Sequence, residues 1–91
     1  MIGNDELLIK VKKGLGITGN YQDDTLQIYI DEVKDFMHRA GVSDAIINSN
    51  SSVGVITRGV SDLWDYGSGS TGLSPYFKER VVQLRAGEKD V

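Results

Sequence analysis

The feature that most constrains the fold of this sequence is a helical repeat of apolar residues between positions 23 and 41. At about 100° per residue, the apolar side chains of this segment fall in one broad sector and charged residues cover the other side. Asp23 or Asp24 is the candidate N-cap, and Gly41 followed by Val42 is a typical stop signal. The spacing predicts a core helix that packs through Leu26, Tyr29, Ile30, Val33, Phe36, Met37 and Ala40.

Capping signals predict two further helices near the ends of the chain. The first has Asn4 as its candidate N-cap and Gly14 as its C-terminal glycine. The last has Ser74 as N-cap and Pro75 at its first position. It is expected to end near Gly87, leaving residues 88–91 as a frayed, solvated tail. Its expected inward side chains are Phe77, Val81 and Leu84, flanked by Tyr76 and Val82.

The segment SVGVITRGV, residues 52–60, is consistent with two interpretations. Its β-branched residues favour a strand, whereas an apolar stripe that continues to residue 64 favours a helix. Gly54 and Gly59 would each destabilise a helix by about 1 kcal/mol. Both lie off the expected stripe, so close approach of a second helix or subunit is their candidate explanation. We favour the helix because its stripe comprises Val53, Ile56, Val60, Leu63 and Trp64.

Ser43 is the expected cap of one short turn between the second helix and this segment. The sequence therefore predicts an all-α fold, a small bundle of about four helices with a Gly/Ser-rich loop before the last one. Ninety-one residues suit a single domain spanning 1–91.

Composition narrows the range of functions. The chain has no cysteine, which excludes disulfides and thiolate chemistry. Its formal charge is −3, with five Lys/Arg against eight Asp/Glu in residues 1–50 and five against five in residues 51–91. This balance is unlike that of a dedicated nucleic-acid binder. No apolar run is long enough for a membrane span, and the N-terminus lacks a signal-peptide core, so we expect a soluble protein of a cytoplasm or of something assembled there.

The loop GSGSTG, residues 67–72, matches the dinucleotide-binding pattern G-x-G-x-x-G. That pattern binds a pyrophosphate only where it leaves a strand and opens a helix. Here it follows a predicted helix, and the next predicted helix begins two residues later. We therefore expect an adaptable interhelical loop with no cofactor, mobile in the free subunit and ordered against a partner.

Two other constellations suggest chemistry but lack support. Asp31, Asp35 and His38 share one face of the second helix, yet no second acidic or histidine cluster is available to complete a metal site, so a solvated face is favoured. No serine has a base in a recognisable motif, and we expect no enzyme activity.

Residues 38–52 resemble a helix-turn-helix, but a recognition helix there would carry no Lys or Arg. A small DNA-binding regulator of this type is the alternative function.

Three segments carry a resemblance to a known family: DELLIKVKKGLGITGNYQDDTLQIYIDEVKDFMHRAGV, then AIINSNSSVGVITRGVSDLWDYGSG, then SPYFKERVVQLR. Over about residues 5–86 the sequence resembles the head–tail connector (DNA-packaging adaptor) proteins of tailed bacteriophages and prophages. The resemblance implies a virion component at the head–tail junction, assembled in the bacterial cytoplasm. It also implies a dodecameric homo-oligomeric ring beneath the portal that extends the DNA channel. The chain departs from the family in the brevity of its C-terminus: if docking to the portal needs an ordered terminal extension, the residues EKDV offer little.

Such a subunit would contact its neighbours, the portal and the next head-completion or tail protein, with DNA only as passing cargo. Residues with apolar, glycine or basic character outside the expected core are the candidates for these contacts, although a place in the core or a solvated surface is the simpler explanation for each. The candidate interface residues are Ile28, Trp64, Tyr66, Gly67, Gly69, Gly72, Arg80 and Arg85.

Overall fold

The computed structural model describes residues 3–66 and 73–89, and these contain helices and no strand. The predicted all-α bundle is therefore confirmed. Four long helices are joined by one short helix and a 3₁₀ turn at Asn50–Ser52. The helices are α1 (Asn4–Leu15), α2 (Asp23–Arg39), α3 (Asp44–Ile47), α4 (Val53–Tyr66) and α5 (Pro75–Lys89).

The core lies around α4, which packs against α1, α2 and α5. The apolar sector predicted for α2 is correct, since its side chains are buried or half-buried. Segment 52–60 enters α4 and is not a strand. The buried apolar residues are Leu7, Val11, Leu26, Ile30, Val33, Met37, Val42, Ile47, Val55, Ile56, Val60, Leu63, Phe77 and Val81.

Both ends of α1 differ from the sequence-based expectation. Gly3 is the residue before the helix, and Asn4 is its first residue, with Oδ1 facing the Lys34 Nζ on α2 at 3.4 Å. At the other end, Gly16 adopts the left-handed conformation with φ 72°. Gly14 instead lies inside the helix, because its missing Cβ lets α4 come close; a Cβ there would be 2.7 Å from the Thr57 Cγ2.

At α2 the predicted N-cap is wrong and the predicted C-terminal stop is correct. Gln22 precedes the helix, so Asp23 and Asp24 are first-turn residues rather than caps, where their charge still favours the helix dipole. The Asp23 carboxylate accepts a hydrogen bond from the Lys12 Nζ at 2.7 Å, which explains why it does not cap. Gly41 has φ 96°, and the Val42 N–H donates to a carbonyl five residues earlier, as expected for the predicted stop.

The beginning of α5 is as predicted, and its end is not. The Ser74 Oγ accepts a hydrogen bond from the Phe77 N–H at 3.1 Å, with Pro75 as the first helical residue. The helix passes through Gly87 to Lys89, so residues 88 and 89 are helical rather than part of a tail. A glycine inside a helix is tolerated at a cost of about 1 kcal/mol.

Gly59 corrects the expectation that both α4 glycines lie off the apolar stripe. It is buried where α2 and α5 meet α4, and an added Cβ would lie 2.7 Å from the Phe77 Cε1 and 2.9 Å from the Val33 Cγ2. Gly54 is exposed, and an added Cβ there would meet nothing within 4 Å. Close approach of a helix therefore explains Gly59 but not Gly54.

Among the described helices, none combines the length and hydrophobicity that a membrane crossing requires.

Candidate functional site

A groove of about 550 Å³ runs along the outer side of α4 and is bounded by α5. Gly54 opens its floor because it has no side chain and no neighbour that fills the space. Charged and aromatic groups line the rest. The residues of this α4–α5 groove are Gly54, Val55, Arg58, Tyr76 and Arg80.

The aromatic wall of the groove is held by a cation. The Arg58 guanidinium lies 5.2 Å from the centre of the Tyr76 ring, within the range of a cation–π interaction. The same guanidinium forms an ion pair with Asp62, with Nε and Oδ1 3.4 Å apart. Tyr76 is nevertheless 55% exposed, so its ring is positioned by Arg58 and remains accessible to a partner.

Asp62 joins the groove to the start of α5. Its carboxylate is 5% exposed and accepts hydrogen bonds from the Ser74 N–H at 3.0 Å and from the Ser74 Oγ at 2.7 Å. Since the Ser74 Oγ also caps α5, one buried carboxylate fixes where this helix begins. The relative position of Tyr76 and Arg58 follows from that junction.

Arg80 completes the positive edge of the groove. It is exposed, lies one helical turn after Tyr76, and makes no hydrogen bond or ion pair with another residue of the described chain. Its guanidinium is therefore available for a carboxylate outside the subunit, whereas that of Arg58 is already partly engaged.

A second surface lies on α2, on the side away from the core. Ile28 is 64% exposed there, although a large apolar side chain is usually buried. One turn away on either side, Asp24 and Glu32 are exposed and form no ion pair with a described residue. We call Asp24, Ile28 and Glu32 the α2 acidic face. It presents one apolar group between two carboxylates.

The acidic and histidine side chains that share one face of α2 have local partners. Asp31 accepts a hydrogen bond from Gln27 at 2.9 Å, and Asp35 pairs with Arg39 at 3.0 Å. His38 lies 3.6 Å from Asp44, and both side chains are exposed. Within residues 3–66 and 73–89, no group of three acidic or histidine side chains is arranged to hold a metal ion.

The predicted interface residues have different environments. Ile28 and Arg80 are exposed on the two surfaces described above. Trp64 is half-buried and packs edge-to-face on Tyr29 with ring centres 5.9 Å apart, so much of it serves packing within the chain. The Arg85 Nη1 donates to the Ala40 carbonyl at 3.2 Å, at the C-terminal end of α2.

The remaining predicted interface residues lie partly or wholly outside the described chain. Tyr66 is the last residue of α4, but its side chain is not described. Gly67, Gly69 and Gly72 belong to segment 67–72, which lies outside the described residues. The expectation that this loop becomes ordered against a partner stays a prediction.

The sequence-based prediction did not recognise that three groove residues belong to one surface. They are Gly54, Arg58 and Tyr76. A signal was present, because Gly54, Arg58 and Asp62 repeat at four-residue spacing on α4, and Tyr76 and Arg80 do so on α5. Tyr76 was instead expected to flank the core. The position of Tyr76 beside Arg58 depends on the Asp62–Ser74 contact, which the sequence pattern does not reveal.

The comparison with protein families identifies the class of protein to which these surfaces belong. The model of the phage gp6-like head–tail connector protein family matches residues 5–85. The chain therefore belongs to this family, and the resemblance seen in the sequence is confirmed. It is a structural head–tail connector protein and a component of the phage virion. No curated protein and no solved structure shows significant similarity to the chain.

Proposed function

We propose that this connector assembles into a closed homo-oligomeric ring beneath the portal. There it extends the channel through which DNA passes during packaging and head completion. The family match carries this proposal, because the model of the connector family covers residues 5–85 of the 91 residues. The resemblance implies twelve subunits, which for a chain of 10.0 kDa gives 12 × 10.0 kDa, about 120 kDa.

The partners follow from a position between head and tail. One rim of the ring contacts the portal, and the other contacts the next head-completion or tail protein. DNA is passing cargo rather than a ligand, and a formal charge of −3 disfavours adhesion of the channel to phosphates. Assembly takes place in the cytoplasm of the bacterial host, and the product is retained in the virion.

The surface of the described chain suits an assembling subunit. Five large apolar side chains are exposed on the described chain, four on α1, α2 and α5 and one in the turn before α2, which suits a protein with more than one partner. They are Ile9, Tyr21, Ile28, Tyr76 and Val82.

A helix-turn-helix regulator is less well supported. The candidate recognition element, α3, comprises four residues, Asp44–Ile47, and none is basic. Such a helix is too short to place several side chains on base edges and has no cation for phosphates. A regulator would bind duplex DNA with an affinity that falls steeply as salt rises. We expect weak or no such binding, and sub-micromolar, sequence-dependent binding at physiological salt would favour the regulator.

Removal of the gene from the phage or prophage tests the proposed function. Without the connector, we expect DNA-containing heads that carry no tail and are not infectious. Supplying the chain from a plasmid should restore tailed particles, which separates loss of the protein from effects on neighbouring genes. A normal yield of infectious, tailed particles from the deletion would contradict the proposal.

A further inference from the structure

The α2 acidic face and the α4–α5 groove have complementary chemistry. The acidic face presents an exposed isoleucine between two carboxylates, and the groove presents an exposed tyrosine beside two arginines. We propose that the α2 acidic face of one subunit docks in the α4–α5 groove of the next. This inference rests on the proposed ring and specifies which surfaces of the chain form its subunit contacts.

Charge is the first argument for this pairing. Asp24 and Glu32 have no cationic partner within the described chain, and Arg80 has no anionic one. Carboxylate–guanidinium pairs across an interface fix register and disfavour wrong partners. The same two surfaces repel a copy of themselves, since acid would face acid and arginine would face arginine. A symmetric, self-facing contact through either surface is thereby disfavoured.

Shape and apolar character are the second argument. The floor of the groove is open at Gly54, where an added Cβ would meet no atom within 4 Å apart from those of its own helix backbone and its chain neighbours, so a protruding side chain can enter. Ile28 is such a side chain, exposed at the centre of the acidic face. Tyr76 supplies an apolar wall for it, and Tyr and Arg are the residue types that most often dominate binding at protein interfaces.

Direction is the third argument, because a ring subunit must offer two different surfaces that face away from each other. α2 and α4 contact through Val33 and Gly59. Ile28 lies about 140° around α2 from Val33, and Gly54 lies about 140° around α4 from Gly59. Each surface is therefore turned away from the contact between the two helices. Pairing of unlike surfaces is heterologous, and it generates a ring where the rotation closes.

Two variants, each defective in one surface, test the pairing. Ile28→Lys places a cation in the acidic face and leaves the groove intact. Arg80→Glu combined with Gly54→Leu reverses charge in the groove, fills its floor and leaves the acidic face intact. The three substituted positions are exposed and make no described hydrogen bond or ion pair, so we expect both proteins to fold, as checked by far-ultraviolet circular dichroism.

Alone, each variant is expected to lose self-assembly, with at least a roughly tenfold weaker association than the wild type. Mixed, they retain one intact pair of surfaces and should form a 1:1 dimer of 2 × 10.0 kDa, about 20 kDa, that cannot grow. Sedimentation velocity over a concentration series measures both results. Ala45→Lys and Lys78→Glu are the matched controls, since each changes the charge at an exposed site outside both surfaces. The controls should assemble as the wild type does.

The outcomes separate this inference from the proposed function. If the wild type forms rings but the mixture of variants stays monomeric, other surfaces hold the ring and the groove has another occupant or none. Equal loss of assembly in the matched controls also contradicts the pairing. If the wild type itself remains monomeric with and without the portal, the proposed ring fails, and this inference fails with it.

Discussion

At the scale of single residues, three glycines within helices have different roles. Gly14 and Gly59 lie where two helices approach too closely for a Cβ, whereas Gly54 faces open space. Their intrinsic cost to a helix is similar, so the sequence alone cannot distinguish them. The distinction depends on which residues of other helices come to face each position.

This difference predicts that the same substitution has different effects on stability at two of these positions. Gly59→Ala should be less stable to unfolding than Gly54→Ala by about 1–3 kcal/mol, since both gain helix propensity but only Gly59→Ala overpacks against the buried Phe77 and Val33. Urea unfolding followed by circular dichroism measures both. Equal stabilities would mean that α2 and α5 do not approach α4 as closely as described.

The ends of the helices show how far residue-scale signals extend. Ser74 and Pro75 were predicted correctly because a serine–proline cap acts within its own turn. Asn4 was wrongly predicted as the N-cap of α1 and Gly14 as its C-terminal glycine. Gly3 and Gly16 hold these positions instead, one and two residues away, and contacts with other helices account for the difference. Asn4 faces Lys34, and Gly14 faces Thr57.

At the scale of elements, α5 is joined to the bundle by a polar junction and an apolar face. Asp62 receives two hydrogen bonds from Ser74, and Phe77 packs near Phe36 with ring centres 5.6 Å apart. The apolar face could be predicted from spacing. The junction could not, because the partner of Asp62 lies twelve residues later in the sequence, beyond the end of α4.

Asp62 and Ser74 are expected to act as a unit. Asp62→Ala removes the buried carboxylate that accepts two hydrogen bonds from Ser74 and should destabilise the fold by about 1–3 kcal/mol. Ser74→Ala also removes the helix cap and should cost about 1 kcal/mol or more. Because the two side chains share a hydrogen bond, the double variant should lose less than the sum, as a double-mutant cycle by denaturant unfolding would show. Additive losses would contradict the junction.

The orientation of α5 is tested by two adjacent valines. Val81 is 1% exposed and Val82 is 54% exposed. Val81→Ala should destabilise the fold by about 2 kcal/mol, because it removes buried methyl groups and leaves a cavity. Val82→Ala should change stability by no more than about 0.5 kcal/mol. Thermal unfolding of the two variants measures these changes in stability. A larger loss of stability in Val82→Ala than in Val81→Ala would mean that α5 is rotated relative to its assigned position.

At the scale of the whole molecule, the groove brings together residues that are far apart in sequence. Gly54 and Arg58 come from α4, and Tyr76 and Arg80 come from α5, across the segment that the sequence marks as a loop. Spacing within each helix could predict which residues share a side. Their juxtaposition requires the packing angle of two helices, which no local pattern contains.

If acidic and basic surfaces hold the subunits together, salt should weaken the assembly. Raising the salt concentration from about 0.05 M to about 0.5 M shortens the Debye length severalfold and screens exposed carboxylate–guanidinium pairs. Light scattering at fixed protein concentration should show a fall in mean mass. Ile28→Asp, which adds acid to the acidic face, removes the apolar contribution and should make this fall steeper than in the wild type. A mass that rises with salt would instead indicate a mainly apolar interface.

The most direct measurement of the central claim is cryo-electron microscopy of the head–tail junction in particles of the phage or prophage that encodes this chain. Membership of the connector family and the two unlike surfaces lead to one expectation. Between portal and tail there should be a closed ring of helical subunits whose density fits α1, α2, α4 and α5. A junction built entirely of other chains, or purified particles that lack this protein, would contradict the account.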